Sequence, residues 1–301
     1  MKKTQDQTQP IRILHSPDPD DRFMFWPLSQ KKIPWGNFHF HFEEADTHSL
    51  NRLCVETTPE ICAISAIHYG QVAKDYQPLR MGCSVGNGYG PVLVSKRPRE
   101  PDSSSSSTQR LLLSPGPSTT AHAVLLALGW EFHDFVTVPI VPMERVFEEL
   151  DRLSHKHPEW EVVALLIHEG RLLYPRFQCY LWQDLGLAWK EATGHSIPLG
   201  MNVISRNLSW DQRIALSELL RQSCAYALEH QKEFEDLCLD PQTPYQAHLS
   251  REMLKEYLSL YANHSTLDVD LESQLGFAYL LNLSSQQGLF PSPNPIELDW
   301  I

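Results

Sequence analysis

No run of apolar residues in this chain approaches the roughly 18 that a membrane-crossing helix needs. A membrane-embedded protein is therefore not the expected class. The opening stretch, MKKTQDQTQP, places two lysines before polar residues. A secretory signal would carry an apolar core of roughly 7–15 residues there, so no signal peptide is expected. Basic charge is also scarce: 25 Lys and Arg face 37 Asp and Glu, a formal net charge of −12. The densest basic cluster, Lys96, Arg97 and Arg99, is short and interrupted by Pro98. Phosphate contacts need clustered cations, so nucleic acid is not an expected partner. The six cysteines are scattered and form no CxxC pair, which speaks against a disulfide scaffold and a zinc ribbon. Reduced thiols and a cytoplasmic location are the corresponding expectations.

What remains is ordinary for a globular enzyme. With 301 residues, 42% hydrophobic and 21% charged, the chain is long enough for about two domains or lobes. Apolar strands alternate with helical stretches, which points to an α/β protein. IRIL (11–14) reads as a strand, and HSPDPDDRFMFWPL as a turn feeding a helix over 22–28 with Asp20 or Asp21 as its cap. An alternating strand is expected over 38–42, with a helix starting near Thr47 or Ser49. ICAIS, PVLVS, RLLLS, FVTVPIV and EVVALLIHE read as further strands. MERVFEELDRLSHK reads as an amphipathic helix with Val146, Leu150 and Leu153 on one face. From about 206 onward the pattern is mostly helical, over 209–236, 250–263 and 268–287, with the last ten residues as a tail. The run Ser103–Ser107 reads as a mobile surface loop.

Four stretches bear on chemistry. SPGPSTTA is a turn opening a helix, with Ser118 or Thr119 as N-cap. Such a start presents free backbone N–H groups that suit a carboxylate or phosphate, although simple capping explains the same residues. GNGYGP (86–91) resembles a dinucleotide fingerprint only in outline, because its glycines are misplaced and Pro91 leads into an extended segment. It reads as a tight crossing or hinge beside a ligand, or as a plain turn. His39 and His41 share one strand face with no evident third metal ligand, and His155 and His157 end a helix; all four read as solvent-facing. LLIHEGRLLY (165–174) is not the HExxH of a zinc protease, since Leu172 stands four residues after His168. Its apolar strand ends at His168, where strands of α/β sheets deliver side chains to a ligand crevice. A neutral imidazole there is suited to general base chemistry, while a satisfied structural histidine is the competing reading.

Taken in order, HSPDPDDRFMF, LNRLCVE, ISAIHY, VGNGYGPVLV, SPGPSTTA, LLIHEGRLLY, DLGLAWKEATGHSIPLGMNVISR and LYANHSTLDVD resemble the 1,4-dihydroxy-6-naphthoate synthases of the futalosine route to menaquinone. The resemblance runs from about 11 to 290, and IHEGR and DLG…W…TG…IPLG are its most specific parts. It implies a type-II periplasmic-binding-protein-like fold, with two α/β lobes and a ligand cleft between them. Lobe one would comprise 1–108 plus 200–301, and lobe two 109–199. By the family pattern His168 is the base. It would remove a proton from cyclic dehypoxanthinyl futalosine, and ring opening with loss of the sugar-derived fragment would leave the aromatic product. Ala63, Ile64, Ser65, Thr119 and Thr120 match substrate-binding positions, the threonine pair as the carboxylate holder, and Gly88 and Tyr89 are expected to line the cleft. No metal or organic cofactor is implied. The expected partner is a small aromatic carboxylate, with no nucleic acid and no membrane, and the reading leaves room for a homodimer.

The chain departs from the family at several points. Pro19 and Arg22 differ in the first motif, Leu172 and Leu173 follow IHEGR, and Ala63 stands where a longer polar side chain, often lysine, is usual. The loss of that cation keeps open a catalytically silent binding protein for a small aromatic acid on the same scaffold. A lyase resembling the chorismate dehydratases is the other alternative, and the presence of IHEGR speaks against it.

Overall fold

A computed structural model describes residues 10–99, 109–140, 142–247, 249–288 and 296–301. The serine run 103–107 and the first nine residues lie outside these. In chain order the first half carries β1 (Ile11–His15), α1 (Pro19–Ser29), β2 (Phe40–Glu44), α2 (Thr47–Thr57), β3 (Ile61–Ser65), the short α3 (Tyr69–Val72), β4 (Tyr76–Pro78), β5 (Ser84–Gly86), β6 (Val92–Ser95), β7 (Arg110–Ser114), α4 (Thr120–Ala127), β8 (Asp134–Thr137) and α5 (Glu144–Lys156). The second half carries β9 (Glu161–Leu166), α6 (Gly170–Leu173), β10 (Tyr180–Asp184), α7 (Leu185–Thr193), β11 (Ile197–Ser205), α8 (Trp210–Glu229), α9 (Gln231–Leu239), α10 (Arg251–Tyr261), α11 (His264–Leu267) and α12 (Leu271–Gln286).

The strands form two sheets. One runs β2-β1-β3-β11-β4, with β5 also paired to β11; the other runs β10-β6-β9-β7-β8. In the first, β1 is parallel to both β2 and β3, and β11 returns antiparallel to β3, β4 and β5. In the second, β7 is parallel to β8 and β9, while β6 is antiparallel to both β9 and β10. Strands covered on both faces carry unbroken apolar runs instead of alternating ones. ICAIS of β3 and VLVS of β6 are buried throughout for that reason.

Four sequence expectations need correction. β6 belongs to the second sheet, so the first crossing between sheets falls at 87–91 and not near 108. Pairing with β9 and β10 is what buries VLVS. The return crossing falls before Ile197, where β11 begins, and not at 200. Helix α1 starts at Pro19 with Asp18 as N-cap, which frees Asp20 and Asp21 from the capping role. The end of the chain is not a loose tail. The Ile301 N–H donates to the Pro78 carbonyl (3.0 Å), the Ile301 carbonyl accepts from Arg80 (2.8 Å), and Asp299 takes a two-pronged contact from Arg206. The backbone groups of an exposed edge beside β4 are satisfied in this way.

The crossing at 87–91 is tight. A Cβ on Gly186 would stand 2.0 Å from the Tyr89 backbone, and one on Gly90 would stand 3.0 Å from Gly186. Only glycine lets these two backbones touch. Arg171 clamps the same place: it pairs with Asp184 at 2.6 Å and donates to the Gly90 carbonyl at 3.0 Å. Asp184 in turn caps α7 through the N–H groups of Gly186 and Leu187. The arginine of IHEGR and the aspartate of DLG are thus one structural pair.

Candidate active site

A cavity opens between the sheets at the carboxyl ends of β1, β3 and β9, where ligands bind in α/β architectures. Ala63, Ile64, Ser65, Thr119, Thr120 and His168 all line it. Gly88 and Tyr89 do not, contrary to expectation. Tyr89 donates its hydroxyl to the Leu260 carbonyl (2.5 Å) and lies under Arg171, so the tight crossing consumes it. No Lys or Arg lines the cavity among the described residues.

One wall is neutral and closely hydrogen-bonded. Asn51, buried on α2, accepts from the Ser65 N–H (2.9 Å) and donates to the Ser65 hydroxyl (3.1 Å) and the Ser118 carbonyl (3.0 Å). Thr119 caps α4, its hydroxyl accepting from His122 and donating to the Gly116 carbonyl. The Thr120 hydroxyl accepts from Ile67 and donates to the Leu199 carbonyl at 2.9 Å. Both threonine hydroxyls are therefore committed within the protein. What the helix start offers to the cavity is the dipole and the first-turn backbone N–H groups.

The opposite side is charged. His168 follows β9 in the left-handed region, with φ of 49°. That conformation is uncommon for a residue with a side chain and clusters at functional sites. Its Nε2 lies 3.3 Å from the Thr47 hydroxyl and 3.4 Å from Asp18 Oδ2; its Nδ1 lies 3.4 Å from the Tyr257 hydroxyl. Tyr257, buried on α10, donates to Asp20 Oδ1 at 2.7 Å. Asp21 accepts from the Ser16 N–H at 2.7 Å, while Glu169 Oε2 is buried without a partner.

These groups shift one another. Burial disfavours the imidazolium of His168, but the surrounding carboxylates of Asp18, Asp20, Glu169 and Asp21 outweigh it and the net shift is upward. Burial raises Asp20, and burial with the Asp20 charge pushes Asp21 up to about 7. Burial and Asp18 bring Glu169 to about 7 as well. The direction is the same for all four groups: each keeps its proton to a higher pH than it would in water. A cleft with clustered titratable groups perturbed in this way is suited to proton transfer.

Sequence reasoning missed Asp18, Asp20, Asp21, Thr47, Asn51 and Tyr257. Three aspartates within four residues at a strand end were a usable signal, since a helix start needs only one cap. Tyr257 gave none. The two strand histidines, His39 and His41, are exposed on the edge strand region, whereas His157 is half-buried and packs on Trp160.

A family model described as menaquinone biosynthesis matches residues 11–286. A curated relative from Thermus thermophilus, named 1,4-dihydroxy-6-naphthoate synthase, is 32% identical over 289 residues, which is 95% of this chain and 98% of that one. A crystal structure of a protein from Archaeoglobus fulgidus superposes with a TM-score of 0.81 at 30% identity, over 94% of this chain and 100% of that one. A Candida albicans protein described as having the generic periplasmic binding protein fold matches with a TM-score of 0.68 at 11% identity, over 96% of this chain and 93% of that one. The fold is accordingly periplasmic-binding-protein-like, with two α/β lobes.

Proposed function

The chain belongs to the menaquinone-biosynthesis family, and from that premise we propose that it is a 1,4-dihydroxy-6-naphthoate synthase acting as a lyase on cyclic dehypoxanthinyl futalosine. His168 is the base. It takes a proton from the substrate, the substrate ring opens, and the sugar-derived fragment leaves as the second ring becomes aromatic. Aromatisation supplies driving force, so one proton transfer and accurate positioning suffice. The observation that carries the reading is the placement of His168: it lines the cavity and is surrounded by carboxylates able to stabilise the imidazolium that forms. The substrate carboxylate is held by the start of α4 and by Ser65, since no cationic side chain lines the cavity. A pathway enzyme of this kind works in the cytoplasm, and among the described residues no helix is long and apolar enough to cross a membrane.

A second reading is favoured by one feature. Ala63 puts a methyl group in the cavity wall where a cation would strengthen a grip on the substrate. On that reading the chain binds a small aromatic acid without turning it over. Purified protein incubated with cyclic dehypoxanthinyl futalosine, beside His168→Ala, separates the two. Product seen by absorbance and mass from the wild type alone establishes reaction and base. Product from both proteins retains the reaction and sinks the base. Binding without product moves the assignment to the silent binder.

A further inference from the structure

The imidazole of His168 has neighbours on both nitrogens, and they are not equivalent. At Nδ1 stands the Tyr257 hydroxyl, 3.4 Å away. That hydroxyl has one hydrogen, and it is donated to Asp20 Oδ1 at 2.7 Å. Towards His168 the tyrosine oxygen is then left as an acceptor, which favours hydrogen on Nδ1. At Nε2 stand the Thr47 hydroxyl, 3.3 Å away, which can donate to the lone pair of a neutral ring, and Asp18 Oδ2, 3.4 Å away, which accepts from Nε2 once the ring is protonated. Nε2 is the side from which a proton can come and go.

We propose that Tyr257, anchored on Asp20, is a positioning residue that holds His168 with hydrogen on Nδ1 and leaves Nε2 as the nitrogen that takes the substrate proton. The assignment rests on the reading of His168 as base. It balances simply: the lone pair of Nε2 forms the new N–H bond, the substrate's bond to that proton breaks, its electron pair drives the ring opening, and the resulting imidazolium sits between Asp18 and the Tyr257–Asp20 pair. The same division of labour between a base and an orienting group recurs wherever a histidine must keep one tautomer. The contact at 3.4 Å is long for a hydrogen bond, and such contacts tighten when substrate closes the site. The remaining charged neighbours, Asp21 and Glu169, lie near His168 without contacting either ring nitrogen, so they set its charge but not its tautomer.

The ring of Tyr257 also packs on Tyr261, with centroids 4.8 Å apart. Tyr257→Phe keeps that packing and deletes only the hydroxyl, so a purely structural tyrosine would tolerate it. The expected result is a kcat reduced about 10- to 100-fold, from loss of orientation at the base, with KM within about twofold. The tautomer itself is read from ¹⁵N shifts of the histidine ring, assigned by loss of the signal in His168→Ala. Above its titration, wild-type His168 should show the Nδ1–H form, and Tyr257→Phe should lose that preference. A wild-type Nε2–H form, or an unchanged kcat in Tyr257→Phe, overturns the assignment of Tyr257. Full activity in His168→Ala overturns instead the base reading on which it depends. The wild-type spectrum decides the tautomer even if a variant fails to fold.

Discussion

The two sides of the cavity differ in kind. The side formed by α2, β3 and the start of α4 is neutral: Asn51, Thr119 and Thr120 make their side-chain hydrogen bonds within the protein, and the Ser65 hydroxyl accepts from Asn51. The side formed by the β1–α1 turn, His168 and α10 is charged and under-satisfied. Asp18 Oδ2 and Glu169 Oε2 are buried without hydrogen-bond partners, and three of its carboxyl groups are raised by burial. Natural proteins satisfy buried polar groups almost everywhere, so two such carboxylate oxygens beside one imidazole need a reason. The contrast separates two tasks. A satisfied network holds its shape when ligand comes and goes, and so can position a substrate. An under-satisfied acidic cluster around one imidazole holds exchangeable protons, and so can move one.

The largest effect expected from breaking this division is at His168. His168→Ala should lower kcat about 10²- to 10⁴-fold, the usual contribution of a positioned base. Because the neutral side is untouched, the dissociation constant for substrate, measured by calorimetry, should change far less. A loss confined to binding would put the imidazole on the wrong side of the comparison.

Asn51→Ala tests the neutral side. It removes bonds to Ser65 and Ser118 and leaves the buried Ser65 N–H unpaired. One orphaned buried donor costs about 1–3 kcal/mol, and the other lost bonds add to it. The expected outcome is a melting temperature lower by several degrees, with KM raised more than kcat is lowered. An unchanged melting curve would show that the network is less cohesive than its geometry implies.

The unequal legibility of the two sides has a physical cause. Thr119, Thr120 and His168 sit at the ends of elements whose patterns are local, so a cap signal and a strand run pointed to them, whereas Ser65 came from the family resemblance alone. Asp20 and Asp21 were just as visible, but a local rule absorbed them: aspartates before an apolar run look like caps. Only the structure puts Asp18 at the N-cap position, without a side-chain cap bond, and lines the cavity with the other two. Tyr257 was invisible, because at its position on an amphipathic helix a buried tyrosine looks like any core residue, and its partner Asp20 is 237 residues away. The lobe boundary failed for a related reason. A Ser- and Pro-rich run advertises a loop, but the change of sheet happens at the glycine-lined crossing over 87–91, directly after Gly86, where close backbone contact and not polarity is the requirement. β11 was hidden because its Pro198 and Gly200 weaken a strand pattern that pairing with three neighbours nonetheless enforces.

Asp18→Asn sharpens the charged side. Asp18 is the foremost of the carboxylates that raise His168, so its loss should let the imidazole titrate at lower pH. A base is active when deprotonated, so the acidic limb of kcat/KM should move down in pH, while the plateau falls because the imidazolium loses its counter-charge. The two profiles should therefore converge or cross at acid pH. A limb that stays in place would mean that Asp18 does not face the charged imidazole in solution.

The smallest effect expected is on stability, and it comes from Glu169. Its folded value of about 7 lies above the ordinary 4.5, so the folded state binds this proton more tightly than the unfolded chain does. By linkage, that tighter binding favours folding fully below the ordinary value and is lost as pH rises from about 4.5 to about 7. Above that, folding must bury an ionised carboxylate with one unpartnered oxygen. Glu169→Gln is neutral at every pH and removes this slope. Relative to wild type it should gain on the order of 1–3 kcal/mol in denaturant unfolding between pH 5 and pH 8. His168 slopes in the same direction, since a raised imidazole also loses its contribution as pH passes its folded value, so some decline with pH must survive in the variant. A Glu169→Gln protein whose unfolding free energy falls with pH as steeply as the wild type's would remove Glu169 from the proton-holding side, and leave it as a carboxylate that solvent reaches.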